Sequence, residues 1–440
     1  TIVRLALNYL WRYKRRFLFL FIVLSFGFGI IMLITSLKDG MTHAVYLAAQ
    51  GHYSGDLVVR GRNPGQELKN HMPKQLIDET LAAAERARLN PERIVFRTVV
   101  DSSRLDGTVL YYDGSYTPIM HTVGVDWENE EEYFNSLYYI DKQAEAFDDY
   151  TVVVSSPLAS TLLLHVGDMI MLEMETKTGQ KNTGNFIVGA IINDSSVLSF
   201  SRIFLSRRIM NDLILFSEGE CSVIGFYFKG AENNSKIAEA KRLSLYEELK
   251  KEGVGVRKLP YSRAQYDAIS SEGGSPGLVL ATITVYLTEV AELLQALDLI
   301  EIFLYTMLLL IIFVSALVTY NLILRERAKD IGTMRAIGCY EQDLRLILFL
   351  EAFAAGTLAI IAGFVLMLLG TWIVSHFSFA WISGFDMFMQ GGSLRPLYRA
   401  GTVLRNILAV YIILLAAFVP PAFRISRTEL PGLLAGGVKE

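Results

Sequence analysis

Four long apolar segments without a single charged residue constrain this chain more than any other feature of its sequence. They lie at residues 17–37, 302–324, 352–374 and 406–423 of 440. Crossing a hydrocarbon core of about 30 Å takes roughly 20 residues of α-helix, so the segments predict four transmembrane helices. The first run has 21 residues, which exceeds the roughly 7 to 15 of a cleaved signal peptide. We therefore expect it to remain as a membrane anchor.

The composition agrees with a membrane protein and argues against one class of partner. Hydrophobic residues make up 52% of the chain, and the mean hydropathy is +0.35. The formal net charge is −4. A chain with this balance has no excess of basic residues to attract nucleic acid. We therefore expect no nucleic-acid partner.

The positions of Lys and Arg predict the orientation, because cytoplasmic loops carry an excess of these residues. Five precede the first span, and five separate the second span from the third. They are Arg4, Arg12, Lys14, Arg15, Arg16, Arg325, Arg327, Lys329, Arg335 and Arg345. Only Arg395 and Arg399 oppose this bias, so both termini are expected in the cytoplasm and residues 38–301 and 375–402 outside. Cys221 and Cys339 would then lie on opposite sides and could not form a disulfide.

Residues 38–282 are predicted to form a large α+β extracytoplasmic domain. Runs rich in β-branched residues interleave irregularly with segments of helical periodicity. Asp113 and Gly114 stand between two apolar runs, which predicts a hairpin with a type I′ turn.

None of the candidate catalytic patterns meets the requirements of its chemistry. Residues 273–277 match the letters of a nucleophile elbow, but no strand precedes them, so we interpret them as a hinge. The acidic run at 128–134 lacks the spaced oxygen ligands and turn glycine of a calcium site, and it suits a helix start. The six histidines show no metal spacing, and no Gly-Lys dipeptide is present for a Walker A loop. We expect no catalytic residue and no bound metal or cofactor.

Residues 283–324 contain no helix breaker and predict one helix roughly 60 Å long. Its first part carries apolar residues at heptad spacing. These are Ile283, Leu287, Val290, Leu294 and Leu297. The pattern suits a dimer stalk and equally suits a helix packed on its own domain, and both alternatives stay open.

A short mixed-charge segment, RERAKDIGTMRAIG at 325–338, directly follows the second apolar run. Its basic residues suit a cluster at the membrane surface. Ile331, Met334 and Ile337 recur at i, i+3 and i+6, and Gly338 follows. This predicts a short amphipathic helix that ends at Gly338 and can enter a groove on a partner.

Small residues recur at helical intervals along the third span, which predicts a face for close helix packing. They are Ala352, Gly356, Ala359, Gly363 and Gly370. Glu351, next to this stripe, is expected to reach the interface or to pair with Arg345.

The segment RAKDIGTMRAIGC resembles the cytoplasmic signature of the FtsX-like permease family, the MacB and Lol type of ABC transporter membrane subunits. LALNYLWRYKRRFLFL resembles the family's N-terminal entry, FLEAFAAGTLAIIAGFVLMLLG its third span, and PPAFRISRTELPGLLAGG its C-terminal close. MHTVGVDWENE and VVSSPLASTLLLHVGDMIML resemble outer-domain segments of the lipoprotein-releasing, LolC/LolE-like members. Cys339 departs from the family, where a small residue such as alanine is usual.

The resemblance implies a homo- or heterodimer of four-span subunits in the bacterial cytoplasmic (inner) membrane, each with a MacB-like periplasmic core domain. Two ABC ATPase subunits would dock beneath and bind ATP and Mg, so this chain is not expected to be an enzyme. Their motion would pass mechanically through the membrane to the periplasmic domains. Membrane lipids and a periplasmic lipoprotein carrier are further expected partners.

The expected function is the release of lipoproteins from the outer leaflet of the cytoplasmic membrane. The alternatives are an efflux or peptide-export permease of the MacB type and a non-transporting, FtsX-like regulator of a cell-wall enzyme. The ATPase-coupling residues implied by the resemblance are Asp330, Ile331, Gly332, Thr333, Met334, Arg335, Ala336, Ile337 and Gly338. A lipid anchor would meet the outer halves of spans one and two at Ile30, Leu33, Ile34, Phe303 and Met307.

These expectations divide the chain into ten segments. They are a cytoplasmic amphipathic helix (1–16), span one (17–37), the extracytoplasmic domain (38–282), a stalk helix (283–301), span two (302–324), the coupling segment (325–345), span three (346–374), an extracytoplasmic loop (375–402), span four (403–423) and a cytoplasmic tail (424–440).

Overall fold

A computed structural model describes residues 14–62, 70–101, 107–143, 147–193, 201–271, 277–379, 381–382 and 385–427. Most of the predicted amphipathic segment 1–16, the tail after residue 427 and hinge residues 273–276 lie outside the described residues. The chain divides into two compact units. The membrane unit comprises Thr1–Gly40, Gln295–Phe377 and Arg395–Glu440, and the sheet domain comprises Met41–Leu294 and Ser378–Leu394.

The described α-helices are α1 (Lys14–Tyr53), α2 (Lys74–Arg86), α3 (Glu131–Ser136), α4 (Ser156–Leu162), α5 (Arg207–Ile214), α6 (Lys236–Lys251), α7 (Arg263–Ser271), α8 (Ile283–Tyr286), α9 (Ala291–Glu326), α10 (Ala328–Ala336), α11 (Glu341–His376) and α12 (Ala400–Arg427). The described strands are β1 (Leu57–Arg62), β2 (Arg93–Asp101), β3 (Thr108–Tyr112), β4 (Ser115–Ile119), β5 (His121–Val125), β6 (Tyr139–Lys142), β7 (Thr151–Ser155), β8 (Met169–Glu175), β9 (Lys181–Ile192), β10 (Arg202–Ser206), β11 (Val223–Tyr227) and β12 (Gly277–Thr282).

Four of these helices, α1, α9, α11 and α12, are long and apolar enough to cross a membrane. In the chain, the sheet-rich domain lies between the first and the second of them. The predicted fold class is therefore confirmed. The membrane unit has its own core, to which Phe28, Ile312, Leu348 and Leu414 contribute from the four helices.

The strands form one mixed sheet in the order β12-β1-β11-β2-β5-β10-β7-β9-β8-β3-β4, and β6 pairs with β9. The β5–β10 and β7–β9 pairs are parallel. Strands β3 and β4 form the predicted hairpin, in which Asp113 and Gly114 have φ of 45° and 75°. Positive φ at both central residues is the mark of a type I′ turn.

Helix α1 continues past the predicted first span to Tyr53, and its end is tied to the sheet. The carboxylate of Asp56 accepts hydrogen bonds from Tyr46 Oη at 2.6 Å, Gln50 Nε2 at 2.8 Å and the Phe228 amide at 2.7 Å. Arg97 Nη1 donates to the carbonyl of Gly51 at 2.7 Å, near the last turn. These bonds fix the last turns of α1 within the sheet domain.

The predicted unbroken helix from residue 283 is wrong. Helix α8 ends at Tyr286, a 3₁₀ turn covers Leu287–Glu289, and α9 begins at Ala291. The break follows from packing, because Ile283, Tyr286 and Val290 are buried. The first heptad positions therefore serve the core of the sheet domain, which is one of the two alternatives that the pattern left open.

Helix α12 continues past the predicted end of the fourth span at residue 423 and includes Pro420 and Pro421. Proline removes a backbone donor and weakens a helix locally. Here Phe418, Ala422 and Ile425, on both sides of the prolines, are buried in the core of the membrane unit. This packing holds the last turns in helical form.

Cys221 is fully buried in the sheet domain. Burial raises the pKa of its thiol to about 12, so almost none is thiolate at neutral pH. Since the thiolate is the reactive form, Cys221 is expected to be inert toward maleimides. An exposed position, such as Tyr116 in β4, would be needed to probe the topology.

Candidate functional site

The segment after the second span forms a short helix, α10, with a defined C-terminal cap. Gly338 has φ of 104°, a conformation that favours glycine. Its amide donates to the Arg335 carbonyl, and the Cys339 amide donates to the Met334 carbonyl, both at 3.0 Å. These two bonds are those of a Schellman motif. The predicted short helix ended by Gly338 is confirmed.

The three apolar residues of α10 do not share one accessible face. Ile331 is buried in the core of the membrane unit, Met334 packs partly against that core, and Ile337 is 83% exposed. Each step of three residues falls about 60° short of a full turn, so residues i and i+6 lie about 120° apart. The predicted docking face of all three residues is therefore wrong.

The accessible face of α10 lies one step further round the helix. Thr333, Ala336 and Ile337 are exposed, and Tyr340, just after the cap, is 78% exposed. We call these four residues the foot surface. Asp330 at the start of α10 and Gly338 at its end are also exposed, whereas Gly332 is buried.

Two of the basic residues near α10 form ion pairs within the chain. Arg335 lies 3.6 Å from Glu341. Arg345 donates to Glu341 Oε2 at 2.8 Å and to Ser426 Oγ at 2.9 Å, and its guanidinium lies over the ring of Phe423. By contrast, Arg325 and Lys329 are exposed. The foot surface is thus a small apolar area beside exposed basic residues.

We call helix α10 together with residues 337–340 the foot of the membrane unit. A buried ion pair connects the foot to helix α11. Arg327, the N-cap residue of α10, donates through Nη1 and Nη2 to the carboxylate of Glu351 on α11, with an Nη2–Oε1 distance of 3.2 Å. Both side chains are almost completely buried. The predicted partner of Glu351, Arg345, is therefore wrong. Sequence spacing allowed both arginines, and only the fold of the foot shows which one turns inward.

The small residues of the third span lie on the packed side of α11. Ala352, Gly356, Ala359 and Gly363 are buried, and Gly370 is half-buried. A Cβ on Gly363 would lie 2.6 Å from the Ser25 carbonyl oxygen and 3.2 Å from the Gly29 amide nitrogen of α1. Such distances leave no room for a methyl group, so α1 and α11 approach backbone to backbone here.

The predicted substrate-path residues differ in accessibility. Ile30, Phe303 and Met307 are exposed on the membrane unit, whereas Leu33 and Ile34 are half-buried. Leu33 packs against Gly370. The first three are therefore the most accessible to a lipid.

The described part of the sheet domain contains no group of three or more His, Cys, Asp or Glu residues placed to hold a metal. The acidic run begins helix α3, as the sequence predicts, with Glu131 and Glu132 in its first turn. Glu130, directly before it, forms a buried ion pair with Arg97. Glu130, Glu131 and Glu132 therefore have structural roles, in an ion pair and at a helix N-terminus.

Residues 302–430 match the family model described as the FtsX-like permease C-terminal domain. The match begins with the second span and includes the foot and the third and fourth spans. No curated protein matches the chain. A solved structure described as a domain of a "putative Permease protein" from Porphyromonas gingivalis aligns with 14% identity over 52% of this chain and 90% of its own, with a TM-score of 0.27. Such a low TM-score does not establish a shared fold.

Proposed function

We propose that this protein is the membrane subunit of an ATP-driven ABC transporter and that separate ATPase subunits dock on its foot surface. The match of residues 302–430 to the FtsX-like permease C-terminal domain carries this proposal. The exposed foot surface supports it, because an aqueous loop between spans seldom leaves large apolar side chains such as Ile337 and Tyr340 uncovered together.

Mechanical transmission is the mode of action that the membrane unit supports best. The four apolar runs contain no charged residue, whereas polar substrate pathways through membranes are usually lined by ionisable side chains. The nearest buried charge, Glu351, is neutralised by Arg327. Helices α1 and α9, of 40 and 36 residues, extend well beyond the roughly 20 residues of a membrane crossing. Each can carry a displacement along its axis.

The proposed substrate is a lipid-anchored protein of the outer leaflet. In this arrangement the foot faces the cytoplasm of a bacterium and the sheet domain faces the periplasm. The exposed apolar side chains of Ile30, Phe303 and Met307 suit contact with an acyl chain. Two copies of this chain, or one copy and a related subunit, would form the complex with two ATPases, which bind ATP and Mg.

The decisive experiment replaces Ile337 with aspartate and measures co-purification of the ATPase. A charge in the middle of an apolar contact loses the burial energy of about 25 cal/mol per Å² and adds a desolvation cost. Ile337→Asp should therefore reduce ATPase recovery at least about tenfold, which corresponds to about 1.4 kcal/mol. Leu163→Asp, at a similarly exposed apolar residue of the sheet domain, is the matched control and should have no effect.

The membrane-surface alternative makes the opposite prediction. If the segment served only to contact lipid headgroups, Arg325→Gln with Lys329→Gln would disturb the protein more than Ile337→Asp. Full ATPase recovery with Ile337→Asp, beside its loss in the charge variant, would contradict docking at the foot surface. The Ile331→Asp variant is unsuitable because Ile331 is part of the core.

A further inference from the structure

A cavity of about 340 Å³ lies between helices α9, α11 and α12 of the membrane unit. Helix α11 lines it with residues at i, i+3, i+4 and i+7, which share one face of a helix. These residues are Gln342, Arg345, Leu346 and Phe349. Helix α12 contributes the pairs 418–419 and 422–423, and α9 contributes Tyr320. At 1.5 Å per residue, the cavity is a groove that follows α11 for about 10 Å.

The groove is polar at one end and apolar at the other. The polar end holds Gln342 and Arg345. The Arg345 guanidinium lies 4.6 Å from the ring centre of Phe423, and its Nε donates to Ser426 Oγ at 2.9 Å. The last turn of α12 therefore borders the polar end, and Phe418, two turns earlier, lies toward the apolar end. A ligand that matches the groove has a polar head and an apolar tail.

The inner wall of the groove is aromatic. Tyr320 is almost fully buried, and its ring centre lies 4.5 Å from that of Phe418. The Tyr320 hydroxyl donates to the Leu348 carbonyl at 3.3 Å, so its polar atom is engaged inside the protein. At the outer rim, Leu346 and Phe349 are 44% and 40% exposed. Because α11 is long and apolar enough to cross a membrane, this rim opens toward lipid.

The volume of the groove decides between a protein helix and a single hydrocarbon chain. A helix with its side chains is about 10 Å wide, so its cross-section is about 80 Å² and a cavity of this volume holds about 4 Å of it, less than one turn. A water-sized group, similar to a methylene, occupies about 30 Å³, so the same space holds a linear chain of about eleven such groups. The groove therefore suits one acyl chain and excludes a partner helix.

Arg345 can hold a headgroup although its charge is already compensated. Its Nη2 donates to Glu341 Oε2 at 2.8 Å, and its Nε donates to Ser426 Oγ. A guanidinium has five N–H donors, so three of them have no partner within the part of the chain that the structure describes. Because Glu341 matches the charge of Arg345, a phosphate would be held here by hydrogen bonds and not by an excess of positive charge.

We propose that this groove binds one phospholipid of the leaflet on the side of the foot, with an acyl chain along the aromatic wall and the phosphate at Arg345. Gln342, exposed beside it, supplies an amide donor. The apolar residues 346–350 follow Arg345 directly, which places the guanidinium at the level of the headgroups. Basic residues in pockets between membrane helices are known to bind lipid headgroups. The site is independent of ATPase docking and of the transported substrate.

The test is native mass spectrometry of the full chain in detergent, titrated with three lipids that carry the same two chains. These are dioleoylphosphatidylcholine, dioleoylphosphatidylglycerol and dioleoylglycerol. Both phospholipids should bind the tightest site with similar affinity, since Glu341 matches the Arg345 charge. Dioleoylglycerol, which has no phosphate, should bind at least about tenfold more weakly, because a hydrogen bond to a charged group contributes about this much.

Two variants separate the headgroup from the chain. Arg345→Gln should weaken both phospholipids about tenfold and leave dioleoylglycerol unchanged. Its control is Arg405→Gln at the other end of α12, which removes an arginine that is also paired with a glutamate. Ala422→Phe places a ring in the groove and should weaken all three lipids. Its control is Ile412→Phe, at an exposed apolar residue of the same helix.

Four results would overturn the proposal. Equal wild-type binding of the three lipids, or unchanged phospholipid binding in Arg345→Gln and Ala422→Phe, would leave only ordinary contact with the bilayer. A strong preference for phosphatidylglycerol would mean binding by net charge. Loss of a dimer in Ala422→Phe with unchanged lipid binding would assign the groove to a second copy of the chain. If Arg345→Gln does not fold, the wild-type comparison and Ala422→Phe decide the question.

Discussion

The Arg327–Glu351 pair places two full charges in the core of the membrane unit, where neither has access to water. Such a pair gains little net stability, because desolvation offsets most of the attraction between the charges. Removal of one partner is strongly destabilising, because the remaining charge stays buried without compensation. The pair therefore fixes the position of the N-cap of α10 against α11 more than it stabilises the fold.

Glu351→Gln should lower the free energy of unfolding by about 3 to 5 kcal/mol, because Arg327 would remain buried and unpaired. Thermal unfolding of the purified protein in detergent measures this effect. Glu341→Gln is the control on the same helix, where the removed pairs are partly exposed and worth about 0 to 1 kcal/mol. The double variant Arg327→Met, Glu351→Leu should recover most of the loss. Equal stability of Glu351→Gln and Glu341→Gln would contradict a buried pair.

At the residue scale, the sequence identified which residues are unusual better than it identified the residues that they contact. It singled out Glu351 as an unusual charge near a span, and it identified Gly338 as a helix end because φ above zero has a clear residue preference. It named Arg345 instead of Arg327 as a partner for Glu351, because the choice of arginine depends on how α10 folds back against α11. It also could not bring Tyr320, Arg345 and Phe423 together, since contacts between separate spans leave no local signal.

Among the elements, α11 depends most on small side chains. A Cβ on Gly363 would meet backbone atoms of Ser25 and Gly29 in α1, and a Cβ on Gly356 would lie 2.7 Å from Leu414 of α12. Helices in a membrane gain no hydrophobic energy from one another, so close packing is a main source of their association. The stripe therefore lets one helix pack closely against two neighbours.

Gly363→Ala should destabilise the membrane unit by about 1 to 3 kcal/mol, because the added methyl group meets backbone atoms that cannot rotate away. Gly401→Ala is the matched control. A Cβ at Gly401, in the first turn of α12, has no atom within 4 Å, so this change should be neutral or slightly stabilising through helix propensity. Thermal unfolding of the two variants in the same detergent gives the comparison, and similar melting temperatures would count against the packing face.

Periodicity predicted the existence of these helices well and their limits less well. The four apolar runs predicted four long helices because a run of about twenty apolar residues is typical of a membrane-spanning helix. The heptad positions from Ile283 to Val290 were compatible with two partners, and the core of the sheet domain accounts for the buried ones. The fourth span was expected to end at residue 423, but tertiary packing keeps α12 helical through Pro420 and Pro421 to Arg427.

At the scale of the whole molecule, the proposed function assigns different tasks to the two ends of helix α9. Phe303 lies in the half of α9 that follows the sheet domain in the chain, and Leu322 lies near the foot. The two side chains are 63% and 57% exposed, and they are separated by about 28 Å at 1.5 Å per residue. That distance is close to the thickness of a hydrocarbon core, so under the proposed function the two positions would lie in different leaflets.

A photo-crosslinking amino acid at Phe303 should therefore capture a lipid-anchored protein, whereas the same amino acid at Leu322 should capture only bulk lipid. The acyl chains of an anchor occupy one leaflet, which is about half of a 30 Å core, and they cannot reach the far end of α9. Immunoblotting of crosslinked membranes for acylated proteins measures the capture, and similar exposure of the two sites excludes accessibility as the cause of a difference. Capture of bulk lipid alone at both positions would overturn the lipoprotein substrate while leaving ATPase docking at the foot surface intact. Equal capture of acylated protein at both positions would contradict entry from a single leaflet.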